Sequence, residues 1–226
     1  MARVWSIVVA GGSGRRFGEM KQFTSLRGRA VAEWAIEACR AVSAGVVLVV
    51  PASLSEAPEQ SAHGADIVVA GGATRAESVR RGLEAVPADA EVVVVHDAAR
   101  PLAPVDLFAA VLGALQEEGV VGAVPGLAVS DTIKVVDGDM NVTQTLQRDS
   151  LVAVQTPQAF RADVLREAHS RAANDSDAAP TDDAMLVEAT GRGAVRVIPG
   201  HPDNLKITTP DDLVTAQRLL SAGKEP

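Results

Sequence analysis

An α/β fold with a largely parallel sheet is what this sequence predicts, on three observations. Short apolar runs rich in β-branched residues recur along the chain, stretches with helical apolar spacing separate them, and each run breaks at glycine, proline or a charged residue. The first strand, residues 4–10 (V-W-S-I-V-V-A), ends at Gly11. A helix follows over residues 30–42, with Val31, Trp34, Ala35, Ala38 and Val42 at helical spacing, and residues 45–50 form a second strand closing at Pro51. Residues 66–70 are a third strand. Gly71-Gly72-Ala73-Thr74-Arg75 then opens a helix through Ser78, Val79, Leu83 and Val86, and residues 91–96 are a fourth strand of almost pure valine. Residues 104–118 are amphipathic, with Leu107, Phe108, Val111, Leu112 and Leu115 on one face, and residues 120–124 are a fifth strand.

One stretch breaks this rhythm. Residues 132–136 and 142–146 flank Asp137-Gly138-Asp139, which is hairpin chemistry inside an otherwise wound chain. The pattern alone leaves two readings, a surface excursion or an arm that carries Thr132 and Arg148 to a second subunit by two-fold symmetry. Beyond it, the low-complexity residues 172–180 precede a helix start at Thr181-Asp182-Asp183. Thr209-Pro210-Asp211-Asp212 starts the last helix, with Thr209 as N-cap, proline in the first helical position and acids in the first turn.

With 226 residues, 47% of them hydrophobic, the chain can bury one sizeable core, so a single domain over residues 1–226 is expected, with residues 131–147 as the arm within it. The single cysteine, Cys39, excludes an internal disulfide, fits a reducing compartment and sits in an apolar helix pattern as a packing residue. No apolar run approaches the roughly 18 residues of a membrane span, and the N-terminal run is too short for a signal peptide. A cytoplasmic protein with no membrane partner is the expectation. The net charge of -8 argues against nucleic acid, because a polyanion needs a basic face. An anionic ligand must therefore meet a local cluster of cations.

Such a cluster follows the first strand. Gly11, Gly12 and Gly14 carry no Cβ, so backbone N–H groups can approach an anion, and Arg15, Arg16 and Lys21 put three cations in one loop. This suits the phosphates of a nucleotide; a tight turn with solvated arginines is the plainer alternative. The loop is not a P-loop, because Gly18 is followed by Glu19 rather than lysine. The dinucleotide fingerprint fails at Phe17, and the second strand closes on Pro51 where an acidic residue would hold a ribose. The esterase elbow fails too, since Arg15 occupies the place of its second glycine.

Two more polar groups lie where an open α/β sheet binds ligands. The valine run ends in His96-Asp97-Ala98-Ala99-Arg100-Pro101, which puts Asp97 and Arg100 at the carboxyl end of a strand. A carboxylate beside phosphates suits Mg²⁺, which takes one or two carboxylates and completes its octahedron with phosphate and water; a turn or cap role is the alternative. His96 alternates to the other face and reads as a packed core residue rather than a base. Four histidines and one cysteine offer no zinc constellation. Near the C-terminus, Lys206 follows Asp203 and Asn204 on a short extended run, as a solvated charge or as part of a pocket.

At these residues the chain resembles the 2-C-methyl-D-erythritol 4-phosphate cytidylyltransferases. The similarity spans nearly the whole sequence: A-G-G-S-G-R-R-F-G with Lys21-Gln22-Phe23, G-G-A-T-R-A-E-S-V, V-H-D-A-A-R-P, D-T-I-K, the Arg148 segment, T-P-Q, T-D-D and D-N-L-K-I-T. The glycine loop is shared by many sugar-phosphate nucleotidyltransferases, whereas the ordered set is far more specific. The resemblance implies a Rossmann-like three-layer sandwich with a mostly parallel mixed sheet and a protruding hairpin arm. It also implies a magnesium-dependent enzyme that joins CTP to methylerythritol phosphate in isoprenoid precursor synthesis, as a homodimer through that arm.

Roles follow from the same resemblance. Ala10, Gly11, Gly12, Gly14, Gly72, Ser78, Asp97 and Ala98 would line the cytidine nucleotide, with Asp97 approaching the metal. Arg16 and Lys21 would stabilise charge on the α-phosphate. Arg100, Thr156, Thr181 and Lys206 would handle the second phosphate, together with Thr132 and Arg148 from a partner's arm. The chain departs from the family pattern at Gly11, Met20, Ala73 and Val152, where alanine, proline, aspartate and tryptophan are frequent. A transferase acting on ribitol 5-phosphate or another sugar phosphate would share most of these residues, and a non-catalytic nucleotide sensor would need only some of them.

Overall fold

The computed structural model describes residues 2–12, 20–55, 63–174 and 180–223. A mixed sheet runs through it. Its parallel centre comprises β1 (Val4–Val9), β4 (Gly45–Val50), β5 (Ile67–Ala70) and β6 (Val92–Asp97), with β1 between β4 and β6. β11 (Gln158–Arg161) enters antiparallel between β6 and β7 (Val120–Ala128), and β12 (Ala194–Pro199) pairs parallel to β7. The fifth strand thus continues past residue 124. Pro125 lacks an N–H and interrupts the sequence pattern, yet its carbonyl still accepts from Gln155 N at 2.8 Å. β10 (Val152–Val154) pairs with the last residues of β7. Across the sheet the order is β10-β7-β11-β6-β1-β4-β5, with β12 added to β7.

Helices cover both faces, which is why all six residues of β4 are buried and read as one continuous apolar run. Val46, Leu48 and Val50 face α1 (Val31–Arg40), and the core they share with its Ile36 continues through Phe108 and Val111 of α4 (Val105–Ala114), which covers β7 and β11. The alternate residues Val47 and Val49 face α3 (Arg75–Ala85), with its Val79 and Leu83, and the same core continues through Leu165 of α5 (Ala162–Ala173) and Val187 of α6 (Asp183–Glu188), which cover the β6, β11 and β7 side of the sheet. Each such side chain contributes about 1.5–3 kcal/mol by leaving water. The short α2 (Ala52–Ser55) follows β4.

A third, smaller core joins Leu26 and Val31 to Leu102, Ile207 and Leu220. Leu26 belongs to β2 (Ser25–Leu26), which pairs with β3 (Arg29–Ala30), and Leu220 lies on α7 (Pro210–Ser221). This core draws residues 204–207 against the Lys21 loop. α7 starts as its sequence signature requires: Thr209 accepts from Asp212 N, and Asp212 reaches back to the Thr209 N–H in a capping box.

The hairpin is present as β8 (Lys134–Val136) paired with β9 (Val142–Thr145), outside the main sheet. Its turn is set by Asp137, whose carboxylate accepts from Asp139 N at 3.0 Å and Asn141 N at 2.9 Å. The left-handed conformation falls on Met140 (φ 65) rather than on Gly138. The aspartate, more than the glycine, makes this turn.

Candidate active site

Sheet topology fixes where the site lies. From β1 the chain moves outward to β4 and β5, then returns to the other flank of β1 as β6, so a switch point opens between β1 and β6 at their carboxyl ends. Gly11 and Gly12 leave β1 there and Asp97 ends β6. A cleft of about 500 Å³ occupies this point, lined by Ala10, Gly11, Gly12, Lys21, Gly72, Ser78, Asp97, Ala98 and Lys206 among others. Beside it lies a cavity of about 240 Å³ that includes Arg100, Thr156, Thr181 and Gln158 in its wall. The two share Arg75, Asp97 and Lys206. Gly14 and Arg16 fall outside the described residues.

The shared residues form an ionic chain. Lys206 Nζ lies 2.6 Å from Asp97 Oδ2, and Arg75 Nε lies 3.2 Å from Asp97 Oδ1. Arg75 Nη1 continues to Asp183 Oδ2 at 2.7 Å, and Asp183 Oδ1 meets His169 Nε2 at 3.0 Å. Burial opposes ionisation of Asp97, but Arg75, Lys206 and Arg100 more than offset it and hold the carboxyl well below the ordinary range. Asp183 is lowered in the same way, with burial outweighed by His169 and Arg75. Burial lowers the Arg100 guanidinium, and Asp97 only partly restores it while Arg75 repels it. A strong positive field thus surrounds one carboxylate, in a chain whose net charge is -8.

Arg75 was not singled out by sequence, although a signal existed. It is the first residue of α3, after the N-cap Thr74, where a cation opposes the helix dipole. Such a placement needs carboxylate partners, and Asp97 and Asp183 supply them. Asp183, read from sequence only as part of a helix start, is fully buried in this role, while Asp182 is the actual N-cap of α6.

The loops are held by buried side chains. Gln22 donates from Nε2 to Ala10 O at 2.6 Å and Gly12 O at 3.0 Å, which orients the peptides after β1. Lys21 Nζ donates to Ile207 O at 2.7 Å. On the second loop, the Ser78 hydroxyl accepts from Gly72 N at 3.1 Å and donates to Thr74 O at 2.9 Å, so its proton is committed to the loop. Glu77 accepts from Ala73 N at 2.8 Å and lies across Gly72, where any Cβ would collide with its carboxylate. A larger residue there would displace the Glu77 carboxylate from its place over the loop.

His96 lies on the face expected, fully buried with its ring edge toward Phe108. Burial lowers its pKa to about 4, so it is neutral. Its hydrogen bonds assign the tautomer: Nε2 donates to Arg100 O at 3.1 Å, Nδ1 accepts from the Thr156 hydroxyl at 3.1 Å, and that oxygen accepts from Asp97 N at 3.0 Å. The imidazole therefore fixes the end of β6 and is no general base. Asn204, expected beside Lys206, turns the other way and is buried against Gln155 and Thr156.

Thr132 and Arg148 line neither cavity of this chain. Both are exposed, and Arg148 Nη1 donates to Ser130 O at 2.8 Å at the root of the hairpin. As for a metal, no cluster of three acidic, histidine or cysteine side chains occurs among the described residues. One carboxylate at the meeting point of the two cavities still fits Mg²⁺, which takes most of its oxygens from phosphates and water.

Comparison with known proteins agrees with this geometry. Residues 4–222 match the family model for IspD, 2-C-methyl-D-erythritol 4-phosphate cytidylyltransferase. The protein of that name from Frankia casuarinae is 44% identical over 223 residues, covering 97% of this chain and 82% of the relative. The bifunctional IspD/IspF enzyme of Solidesulfovibrio magneticus is 44% identical over 229 residues, and there the match spans 56% of the relative's length. A crystal structure of 2-C-methyl-D-erythritol 4-phosphate cytidylyltransferase from Thermus thermophilus superposes with a TM-score of 0.78 at 36% identity, covering 95% of this chain and 98% of that one. The chain belongs to the IspD family of 2-C-methyl-D-erythritol 4-phosphate cytidylyltransferases.

Proposed function

We propose that this chain transfers the cytidylyl group of CTP to 2-C-methyl-D-erythritol 4-phosphate, releasing pyrophosphate and 4-diphosphocytidyl-2-C-methyl-D-erythritol, a step of isoprenoid precursor synthesis. The observation that supports it most is the pair of cavities meeting at Arg75, Asp97 and Lys206. The larger takes the nucleotide against the glycine backbone, and the smaller takes the acceptor phosphate beside Arg100, Thr156 and Thr181. A phosphate oxygen of the acceptor forms a bond to the α-phosphorus of CTP while the bond to the bridging oxygen breaks, and that oxygen leaves with its electron pair as pyrophosphate. The attacking phosphate is already an anion, so neither a protein nucleophile nor a base is required.

Positioning and charge supply the acceleration. Lys21, Lys206 and Arg16 neutralise the phosphates as they approach and as charge grows on the leaving pyrophosphate. Asp97 would hold Mg²⁺, which when bound would supply positive charge to the phosphates. We read the hairpin as a dimerisation arm that brings Thr132 and Arg148 to a partner's acceptor cavity; its exposed Val135, Val136, Met140 and Val142 support this reading. A cytoplasmic enzyme fits these substrates, and no helix among the described residues is long and apolar enough to cross a membrane.

Pyrophosphate release measured with CTP, Mg²⁺ and a panel of acceptors tests the proposal. Methylerythritol phosphate should be preferred over ribitol 5-phosphate and sugar 1-phosphates by kcat/KM. Preference for another acceptor would reassign the substrate, and nucleotide binding without turnover on any acceptor would make the chain a sensor.

A further inference from the structure

Lys206 poses a positioning problem that its own segment does not solve. Residues 200–208 between β12 and α7 form no helix or strand, so no regular ladder fixes the backbone that carries this lysine. A transition-state cation must nevertheless be held to a fraction of an ångström. Two buried amides, Gln155 and Asn204, stand where support is needed, and neither belongs to the ionic chain.

Their bonding is reciprocal. Gln155 Nε2 donates to His201 O at 3.1 Å and Asn204 O at 3.3 Å, while its Oε1 accepts from His201 N at 3.1 Å and Asn204 Nδ2 at 3.3 Å. Asn204 Nδ2 also donates to Thr156 O at 2.9 Å. The chain leaves β12 through Gly200, where a Cβ would lie 2.9 Å from Gln155 Oε1 and 3.1 Å from the Gly126 carbonyl. The close approach is thus built into the backbone. From the latched turn, Asn204 O accepts from Arg100 Nη1 at 2.7 Å, and two residues later Lys206 reaches Asp97.

We infer that Gln155 and Asn204 are positioning residues that act as an amide latch, fixing the irregular segment to the bend at Thr156 between β10 and β11 so that Lys206 is presented to the reacting phosphates. The inference rests on the cytidylyl-transfer reading above. The latch itself contributes no charge; it borders the acceptor cavity, holds Arg100 through the Asn204 carbonyl, and acts on the reaction chiefly by presenting Lys206.

Gln155→Met keeps the size of the side chain and removes the four hydrogen bonds, and Gln155→Glu keeps the shape while removing the donor pair. Both should lower kcat by about 10-fold or more with KM for CTP changed less than about 3-fold, because the lost contacts act in the transition state. In a Lys206→Ala background, Gln155→Met should then lower kcat no further, as expected when one residue works through another. Independently of activity, the Ile207 amide, which donates to Ala99 O at 2.8 Å, should exchange its hydrogen at least about 10-fold faster in Gln155→Met. Wild-type kcat in both variants overturns the latch, as does an effect on KM alone or one that adds fully to Lys206→Ala. Should Gln155→Met unfold, Gln155→Glu and Asn204→Ser carry the same readings. An inactive wild-type protein would count against the transferase reading, while unchanged exchange at Ile207 would count against the latch alone.

Discussion

At the strand ends, Asp97, Arg75, Lys206 and Asp183 are paired with one another at 2.6–3.2 Å, and the loops around them are tied down by Gln22, Ser78 and Glu77. On the hairpin the opposite holds: Met140 is 76% exposed and Val142 is 59% exposed, and at its root the exposed Arg148 donates to Ser130 O. The cleft's ionic chain is built within one chain, its carboxylates already paired with cations. The arm exposes Val135, Val136, Met140 and Val142, and Thr132 and Arg148, which we propose serve a partner's site, lie away from the cleft of their own chain. That difference teaches where to cut: damage to the cleft should act on the chain that carries it, and damage to the arm should act on a neighbour.

The largest effect is expected inside the cleft. Lys21→Ala should lower kcat by about 100-fold or more, as loss of a transition-state donor does, with KM little changed; measured initial rates at saturating CTP decide it, and a pure KM effect would remove Lys21 from the chemical step. The cleft also has an acid limit of its own. His96 is ordinarily half-protonated near 6.5 but only near 4 in the fold, so the unfolded chain binds the proton more readily between those values. Stability should therefore fall by up to about 3 kcal/mol as the pH drops from 6.5 to 4. Urea unfolding of wild type against His96→Gln would show this slope shrinking in the variant.

The arm gives a smaller and more particular signal. In a dimer with shared sites, mixing Lys21→Ala with Arg148→Ala protein should restore about a quarter of wild-type activity, because half of the dimers are mixed and each has one intact site. No recovery between subunits shown to exchange would make the arm a surface excursion. Least in size is the cap of α7: Thr209→Ala should cost about 1 kcal/mol of stability by thermal melting, and little of kcat, since the cap supports the third core rather than the ionic chain.

Much of this was legible in the sequence because it is periodic or local. β4 is fully buried on both faces and so spells V-V-L-V-V, and the α7 start is written in T-P-D-D. The hairpin was legible as a hairpin, but the residue in its left-handed position, Met140, was not, because Asp137 sets the turn through side-chain bonds rather than through Gly138. Lys21, Arg100, Lys206 and Asp97 could be named, while Arg75 and the pairings among these groups could not. Arg75 and Asp183 are 108 residues apart, and Gln155 meets Asn204 across 49. Pairings at that range leave no period in a sequence; only the odd placement of a cation at the head of α3 hinted at one.

Cations placed by this chain, with no protein nucleophile, should accelerate the transfer. Single-turnover pyrophosphate release by Lys206→Ala, with saturating CTP, methylerythritol phosphate and Mg²⁺, tests it most directly. The claim predicts a rate about 100-fold or more below wild type in a protein that still melts cooperatively. A rate equal to wild type, or a cytidylyl group found covalently attached to the protein, would contradict it.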